Sequence, residues 1–136
     1  MKLILNKKYN PLFSSDARYF IITGGRGSGK SFAVTVFLTL LTMSKNIRVL
    51  FTRFTMVSAH LSIIPEFLEK IGLLGYDDVF SINKSEVVNT KNKSDILFRG
   101  IKTSAGNQTA SLKSLTGVSN WILDEAEELI DEDIFD

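Results

Sequence analysis

The order of apolar and polar positions predicts alternating strands and helices in the first half of the chain. Residues 18–23 form a β-branched and aromatic run that ends at paired glycines, which is typical of a short buried strand. Residues 31–43 form an apolar run that is too long for an ordinary strand, so they predict a mostly buried helix that ends near Lys45 and Asn46. Residues 47–52 predict a second buried strand.

A second helix is predicted over residues 56–71, because its apolar positions recur every three or four residues. Pro65 lies inside this pattern, so we expect a kink or a break there, and we expect Gly72 to end the helix. The order strand, helix, strand, helix is typical of an α/β fold.

The pattern changes between residues 79 and 101. Short apolar runs at 79–82, 86–89 and 95–98 are separated by Asn, Lys and Ser, which predicts consecutive antiparallel strands. Residues 102–111 predict a polar loop, and residues 121–123 predict a last short strand that leads into an acidic helix start. We therefore expect one α/β domain over residues 1–136, with a mainly parallel sheet flanked by helices and an antiparallel segment near residues 79–101.

Charge is distributed unevenly along the chain. All 16 basic residues but only 7 of the 15 acidic residues lie within residues 1–120, whereas residues 121–136 contain eight acids and no base. A basic body fits a polyanionic partner such as a nucleotide or a nucleic acid, although a solvated surface would explain the same charges.

Composition excludes several kinds of site. The chain has no cysteine and one histidine, His60, so disulfides and thiolate metal sites are excluded and a metal would need oxygen ligands. The longest uncharged run, residues 31–44, has 14 residues, fewer than the ~20 that cross a bilayer. The first residues contain an apolar run of only three, below the roughly 7 to 15 of a secretory signal. We expect no membrane span and a cytoplasmic location.

Residues 24–31 match the phosphate-loop pattern G-x-x-x-x-G-K-[ST] at each fixed position. Glycines let backbone N–H groups converge on a phosphate, and the helix that follows adds the positive end of its dipole. Lys30 would reach the β and γ phosphates of ATP, and the Ser31 hydroxyl would ligate Mg²⁺. The alternative is a glycine-rich strand–helix turn with an accidental lysine. The predicted nucleotide-binding residues are Gly24, Gly25, Arg26, Gly27, Ser28, Gly29, Lys30 and Ser31.

Asp124 and Glu125 directly follow the last predicted strand. One acid at the end of a buried strand can hold Mg²⁺ through water and a second can polarise the attacking water, so we assign Asp124 to the metal and Glu125 to the general base. The alternative is a pair of residues that caps an acidic helix over 125–131. Arg26 would either stabilise charge at the γ-phosphate in the transition state or face solvent.

Three other side chains have two readings each. Arg53, at the end of the second predicted strand, would either contact a nucleotide or partner or be an exposed arginine at a strand end. Tyr9 and Phe13 would either stack on an adenine or make a hydrophobic contact for the N-terminal segment.

Taken in order, these residues resemble the ATPase domain of the large terminase subunit, the motor that packages DNA into tailed-phage capsids. The resemblance spans nearly the whole chain. It implies a P-loop NTPase that hydrolyses ATP with Mg²⁺ and couples hydrolysis to translocation of double-stranded DNA. It also implies a ring of subunits on a portal, a small terminase subunit as partner, and the host cytoplasm as location. The segments that carry it are residues 9–13, 18–19, 24–31, 53, 98–101, 112–114 and 121–128.

The same resemblance implies an incomplete domain. The family's coupling strand, which lies between the strand of the phosphate loop and the strand of the acidic pair, is missing, as is the nuclease domain. We expect a fragment or a split gene product with weak or absent turnover of its own. Lys113 is the basic residue nearest the position where some members carry an arginine that reaches a neighbouring nucleotide, but a lysine cannot form a bidentate fork.

Two other functions remain open at this point. Residues 124–127 resemble the acidic box of helicase-type ATPases, so a helicase-like motor is one alternative. A nucleotide-binding fragment without turnover is the other.

Overall fold

The computed structural model describes residues 7–14, 17–24, 29–53, 62–83, 85–103, 106–107 and 115–125, with the backbone alone at 102–103 and 106–107. A 3₁₀ turn at Lys7–Tyr9 precedes three helices, which are α1 (Pro11–Ser14), α2 (Lys30–Ser44) and α3 (Ile64–Leu74). The described strands are β1 (Arg48–Arg53), β2 (Phe80–Ile82), β3 (Glu86–Asn89), β4 (Asp95–Gly100), β5 (Lys102–Thr103), β6 (Gly106–Asn107) and β7 (Val118–Leu123).

The main sheet has five strands in the order β2-β3-β4-β1-β7. β1 pairs in parallel with β4 on one side and with β7 on the other, while β2, β3 and β4 form an antiparallel series. The predicted α/β class, the second strand and the antiparallel segment are therefore confirmed. The parallel strands share two edges, which we name the amino edge, where β1, β4 and β7 begin, and the carboxyl edge, where they end.

α2 confirms the helix predicted over residues 31–43. Its buried threonines donate their hydroxyl protons to carbonyls of the preceding turn, for example from Thr39 to Thr35 at 2.8 Å, and this satisfies polar groups inside an apolar helix. The C-terminal end of α2 is fixed at the amino edge, where Asn92 donates to the Thr42 carbonyl at 2.8 Å and Ser94 to the Lys45 carbonyl at 2.6 Å. Because a 15-residue helix is about 22 Å long, the N-terminus of α2 is directed toward the carboxyl edge.

α3 corrects the second helix prediction. Pro65 occupies one of the first two positions of α3, where its missing N–H costs nothing, so it starts the helix rather than kinking it. Gly72 lies inside α3, and Gly75 ends it with a left-handed φ of 77°. The first part of the prediction, residues 56–61, lies outside the described residues. The Lys70 ammonium lies 4.7 Å from the ring centre of Phe32, which joins α3 to the first turn of α2.

The core lies between one face of the sheet and the two helices. Phe51 of β1 contacts Phe98 of β4, with ring centres 5.6 Å apart, and Phe67 of α3, with ring centres 5.9 Å apart. Leu38 of α2 completes this packing. All four side chains are almost fully buried, so the core fixes both helices against the parallel centre of the sheet.

The strand predicted over residues 18–23 is wrong. These residues belong to no strand, and Tyr19 and Ile21 are 78% and 93% exposed. A strand forms only when a neighbour satisfies its N–H and C=O groups. Within the described part of the chain β7 pairs only with β1, so its other side offers an unpaired edge that residues 18–23 do not occupy.

β7 is longer than the three residues predicted for the last strand, because it begins at Val118, directly after Gly117. Part of the loop predicted at 102–111 forms the two-residue strands β5 and β6. None of the helices in the described ranges is both long and apolar enough to cross a membrane.

Candidate active site

The two described ends of the predicted phosphate loop lie close to each other. The Lys30 ammonium donates to the Gly24 carbonyl at 2.9 Å, so the two ends of the loop are in contact. Gly29 adopts a left-handed φ of 82°, which favours glycine, and Lys30 starts α2 directly after it. Gly25, Arg26, Gly27 and Ser28 lie outside the described residues.

No side chain caps the N-terminus of α2. The N–H groups of the first helical turn have no partner within the helix, and they carry the positive end of the helix dipole. Ser31 lies in this turn, and its hydroxyl makes no hydrogen bond with a described residue. The first turn of α2 therefore presents an ammonium, a hydroxyl and backbone donors, which is a donor set suited to phosphate and to a hard cation.

Tyr9 and Phe13 both contact α2 or the residue that precedes it. Tyr9 is buried, and its ring would lie 3.8 Å from a Cβ placed on Gly29. Phe13 meets Phe37 edge to face, with ring centres 5.3 Å apart. These positions agree with the hydrophobic-contact reading, while stacking on an adenine stays a prediction.

The acidic pair lies at the carboxyl edge. β7 lies in register with β1, with Leu123 opposite Thr52, and the Asp124 N–H donates to the Thr52 carbonyl at 2.9 Å. This bond places Asp124 beside Arg53, the last residue of β1. The parallel pairing of two strands that lie about 70 residues apart in the sequence therefore brings the carboxylates next to a guanidinium.

One interpretation of the sequence made Arg53 an exposed arginine at a strand end. The structure contradicts this, since the Arg53 side chain is only 9% exposed. Its Nε donates to Asp124 Oδ2 at 2.6 Å, its Nη2 lies 3.2 Å from Glu125 Oε1, and its Nη1 donates to Ser62 Oγ at 2.6 Å. The β1 backbone is also fixed there, because the Ile101 N–H donates to the Arg53 carbonyl at 2.9 Å. Three nitrogens of one guanidinium are thus bound to three different side chains.

The backbone turns sharply at the acidic pair. Glu125 has a φ of 52°, a left-handed conformation that costs a non-glycine residue about 1 kcal/mol or more. The turn points consecutive carboxylates at the same guanidinium, whereas successive side chains of a strand point to opposite faces. The helix predicted over 125–131 lies almost wholly outside the described residues, so the capping alternative stays untested.

The carboxylate chemistry at this edge fits Mg²⁺. Asp124 Oδ1 makes no hydrogen bond within the described residues, whereas Oδ2 is bound to Arg53. In the ranges that the structure describes, no three acidic or histidine side chains gather into a metal cage. Mg²⁺ is usually held by one or two carboxylates together with substrate phosphates, so one carboxylate and one hydroxyl are an adequate protein contribution.

The sequence analysis gave Arg53 a nucleotide or partner contact as one of two interpretations, but it did not place Arg53 or Ser62 beside the acidic pair. A signal was available for Arg53, because two predicted strands each end in charged residues of opposite sign. Charged groups at the ends of parallel strands meet only if those strands are neighbours, and strand order is not visible in the hydrophobic pattern. Ser62 has no such signal, since nothing in the local sequence pattern places it beside the end of β1.

Comparison with known proteins gives one finding. A family model described as the phage terminase large subunit matches residues 16–136 of the 136-residue chain. No curated protein matches the chain.

Proposed function

The chain belongs to the phage terminase large subunit family, and we propose that it binds ATP with Mg²⁺ and hydrolyses it as the motor domain of a DNA-packaging machine. Hydrolysis would be coupled to translocation of double-stranded DNA, with a portal, a small terminase subunit and further copies of the chain as partners. The family match covers residues 16–136, which include the predicted phosphate loop and the acidic pair, so it supports a role in DNA packaging for this part of the chain.

One observation carries the proposal more than any other. Two sets of groups that MgATP requires are directed toward the same edge of the sheet: the lysine and hydroxyl of the first α2 turn, and the acidic pair after β7. Open α/β sheets bind their ligands at the carboxyl ends of parallel strands. A glycine-rich turn with an accidental lysine would also begin at that edge, so the proposal depends on the lysine, the hydroxyl and the two carboxylates occurring there together.

The chain's own residues would divide the work as follows. Gly24, Gly29 and the N-terminus of α2 would bind the phosphates, with Gly25, Gly27 and Ser28 completing the loop. Lys30 would exchange its bond to the Gly24 carbonyl for the β and γ phosphates. Ser31 and Asp124 would hold Mg²⁺, which supplies charge neutralisation at the phosphate oxygens.

Glu125 would accept a proton from the attacking water as general base. Arg26 would stabilise the negative charge that develops on the γ-phosphate. These roles account for three catalytic residues, Glu125, Lys30 and Arg26, and they all depend on the phosphate loop reaching the acidic pair.

DNA as a partner is supported by the charge distribution and by the family. All 16 basic residues precede residue 121, so the acidic end and the basic body are separate along the chain. Lysine and arginine neutralise phosphates whatever the base sequence, which is what translocation along any duplex requires.

A nucleotide-binding chain without turnover is the second candidate. The observation that favours it is the unpaired side of β7, together with the exposure of Tyr19 and Ile21 directly before the phosphate loop. A loop whose leading segment is not fixed in the sheet can bind phosphate without holding the water-activating carboxylate in line.

The test is a titration of a fluorescent ATP analogue in the presence of Mg²⁺, with two lysine variants of the same helix. Lys30→Ala removes the ammonium at the start of α2, and we expect it to weaken binding roughly tenfold or more. Lys45→Ala removes the lysine that follows the C-terminal end of α2 and is exposed, so its affinity should equal that of the wild type.

Equal binding by Lys30→Ala and Lys45→Ala, or no binding by the wild type, would contradict the proposed site. Phosphate release measured on the same samples separates the two candidates. Robust turnover that is lost in Lys30→Ala would support an active motor, and binding without turnover would support the second candidate.

A further inference from the structure

Arg53 binds more side chains than an ion pair that only fixes a strand end requires. At the other end of β1, Arg48 donates from Nε and Nη2 to the two oxygens of a single carboxylate, Asp95, each at 3.0 Å. Such a two-pronged contact is sufficient to fix a strand end. Arg53 instead distributes its nitrogens over Asp124, Glu125 and Ser62.

The backbone supports the same reading independently. Glu125 takes a left-handed φ of 52°, which is unfavourable for a glutamate, and with this backbone its carboxylate lies 3.2 Å from Arg53 Nη2. Strain of this kind persists only where the surroundings over-determine it. Among the described residues, the guanidinium of Arg53 meets both carboxylates and is therefore one group that can hold Glu125 in this conformation.

We propose that Arg53 is the positioning residue of the acidic pair, and this inference rests on the proposed function of that pair. The guanidinium fixes the orientation of both carboxylates and offsets one of their two negative charges. It thereby limits how strongly the pair attracts the divalent cation, while Asp124 keeps one oxygen available for it. Ser62 fixes the guanidinium in turn, so the stretch that enters α3 takes part in the arrangement.

The proposal predicts a change in divalent-cation affinity that is opposite to the change expected from a destabilised fold. A variant that only loosens the fold binds both nucleotide and cation less well. Removal of the Arg53 charge instead leaves two carboxylates without the guanidinium that faces them, so the divalent cation should bind more tightly, and metal-free nucleotide should gain no affinity. Loosening of the fold alone does not tighten cation binding, so a gain in Mn²⁺ affinity separates the loss of the charge from simple destabilisation.

The experiment is a Mn²⁺ titration followed by electron paramagnetic resonance, with Mn²⁺ as the probe of the Mg²⁺ site and a non-hydrolysable ATP analogue present. We expect Arg53→Gln to bind Mn²⁺ roughly threefold more tightly or better, with no gain in affinity for the analogue when no divalent cation is present. Arg48→Gln is the matched control, since it removes the same group from the same strand at the end far from the acidic pair, and it should titrate like the wild type.

Arg53→Lys separates charge from geometry. It keeps the positive charge, so its Mn²⁺ affinity should stay near that of the wild type, but a single ammonium cannot orient two carboxylates, so the Mn²⁺ spectrum should change. This variant also keeps the proposal testable if Arg53→Gln fails to fold.

The outcomes are distinct. Mn²⁺ binding by Arg53→Gln that is unchanged or weaker, or an Arg53→Lys spectrum identical to that of the wild type, would overturn the inference and leave the proposed function standing. A wild-type chain that binds no Mn²⁺ with the analogue would overturn the proposed function itself.

Discussion

β1 carries an arginine at each end, and the two arginines have different surroundings. Arg48 is 40% exposed and donates to one carboxylate, that of Asp95, and to the Thr116 carbonyl at 3.3 Å. The buried Arg53 is shared, among the described residues, by three side chains. The strands on either side of β1 cause the difference: β4 supplies an aspartate at the amino edge, and β7 supplies two consecutive acids at the carboxyl edge. The comparison shows that β1 carries an ion pair within the sheet at one end and contacts to the acidic pair of the candidate site at the other.

The amino edge has the electrostatics of a simple pair. The hydrogen bonds that Arg48 donates to Asp95, and then the negative charge of Asp95, raise the pKa of Arg48 above the ordinary arginine value. Arg48 therefore keeps its positive charge at neutral pH and above. The carboxyl edge instead carries two negative charges against one positive charge, so it retains attraction for a further cation.

The largest effect is expected from the core that joins the two edges. Phe51 packs against Phe67 and Phe98, so Phe51→Ala leaves a cavity between β1, α3 and β4. We expect a loss of about 3–5 kcal/mol in the free energy of unfolding, measured by urea denaturation. Both ends of β1 should lose their geometry together.

Phe13→Ala is the matched control for that variant. Phe13 is about half exposed and contacts only Phe37 among the described aromatic rings, so its loss should cost about 1 kcal/mol or less. Equal destabilisation by the two variants would contradict the view that the packing of Phe51, Phe67 and Phe98 holds both ends of β1 in place.

A smaller loss of stability, confined to the carboxyl edge, is expected when the Thr52 hydroxyl is removed. This buried hydroxyl donates to the Ile122 carbonyl at 2.8 Å and accepts from Trp121 Nε1 at 2.9 Å, which ties β1 to β7 directly before the acidic pair. Thr52→Val should cost about 1–2 kcal/mol in unfolding free energy, and amide hydrogen exchange at Asp124 should accelerate.

Thr39→Val provides the comparison for this change. Its hydroxyl is equally buried but bonds only to the Thr35 carbonyl within α2, so it should leave exchange at Asp124 unaltered. If both valine variants accelerate that exchange alike, the hydroxyl of Thr52 has no special part in placing the acidic pair.

The smallest effect is expected at the amino edge. Asp95→Asn keeps one hydrogen bond to Arg48 but removes the charge, and because Arg48 is partly solvated the cost should be about 1 kcal/mol or less. MgATP affinity should not change. A loss of nucleotide affinity in Asp95→Asn, with the free energy of unfolding preserved, would contradict the claim that only the carboxyl edge takes part in nucleotide binding.

Local patterns in the sequence predicted most elements of the fold. The apolar length of α2 and the short runs of β2, β3 and β4 specify those elements without reference to distant parts of the chain. Pro65 was misplaced because a proline within an apolar repeat is compatible with either a kink or a helix start, and the periodicity does not distinguish them. Gly72 and Gly75 are ambiguous in the same way, and only the backbone shows which one ends α3.

The remaining errors share a long-range cause. Residues 18–23 have the composition of a strand but no partner in the described sheet, and composition says nothing about partners. The burial of Arg53 depends on β7, a strand about 70 residues later that lies beside β1. The sequence therefore named the candidate site residues one by one, which stay predictions, but it did not indicate that the Arg53 guanidinium contacts both acids.

The central claim is that the start of α2 and the end of β7 hold one magnesium ion between them. A crystal structure of the chain with Mg²⁺ and a non-hydrolysable ATP analogue tests it most directly. We expect the metal to be bound by Ser31 Oγ and, directly or through one water, by Asp124, with Lys30 on the phosphates. A metal bound to the nucleotide with Asp124 far from it, still held only by Arg53, would contradict the account.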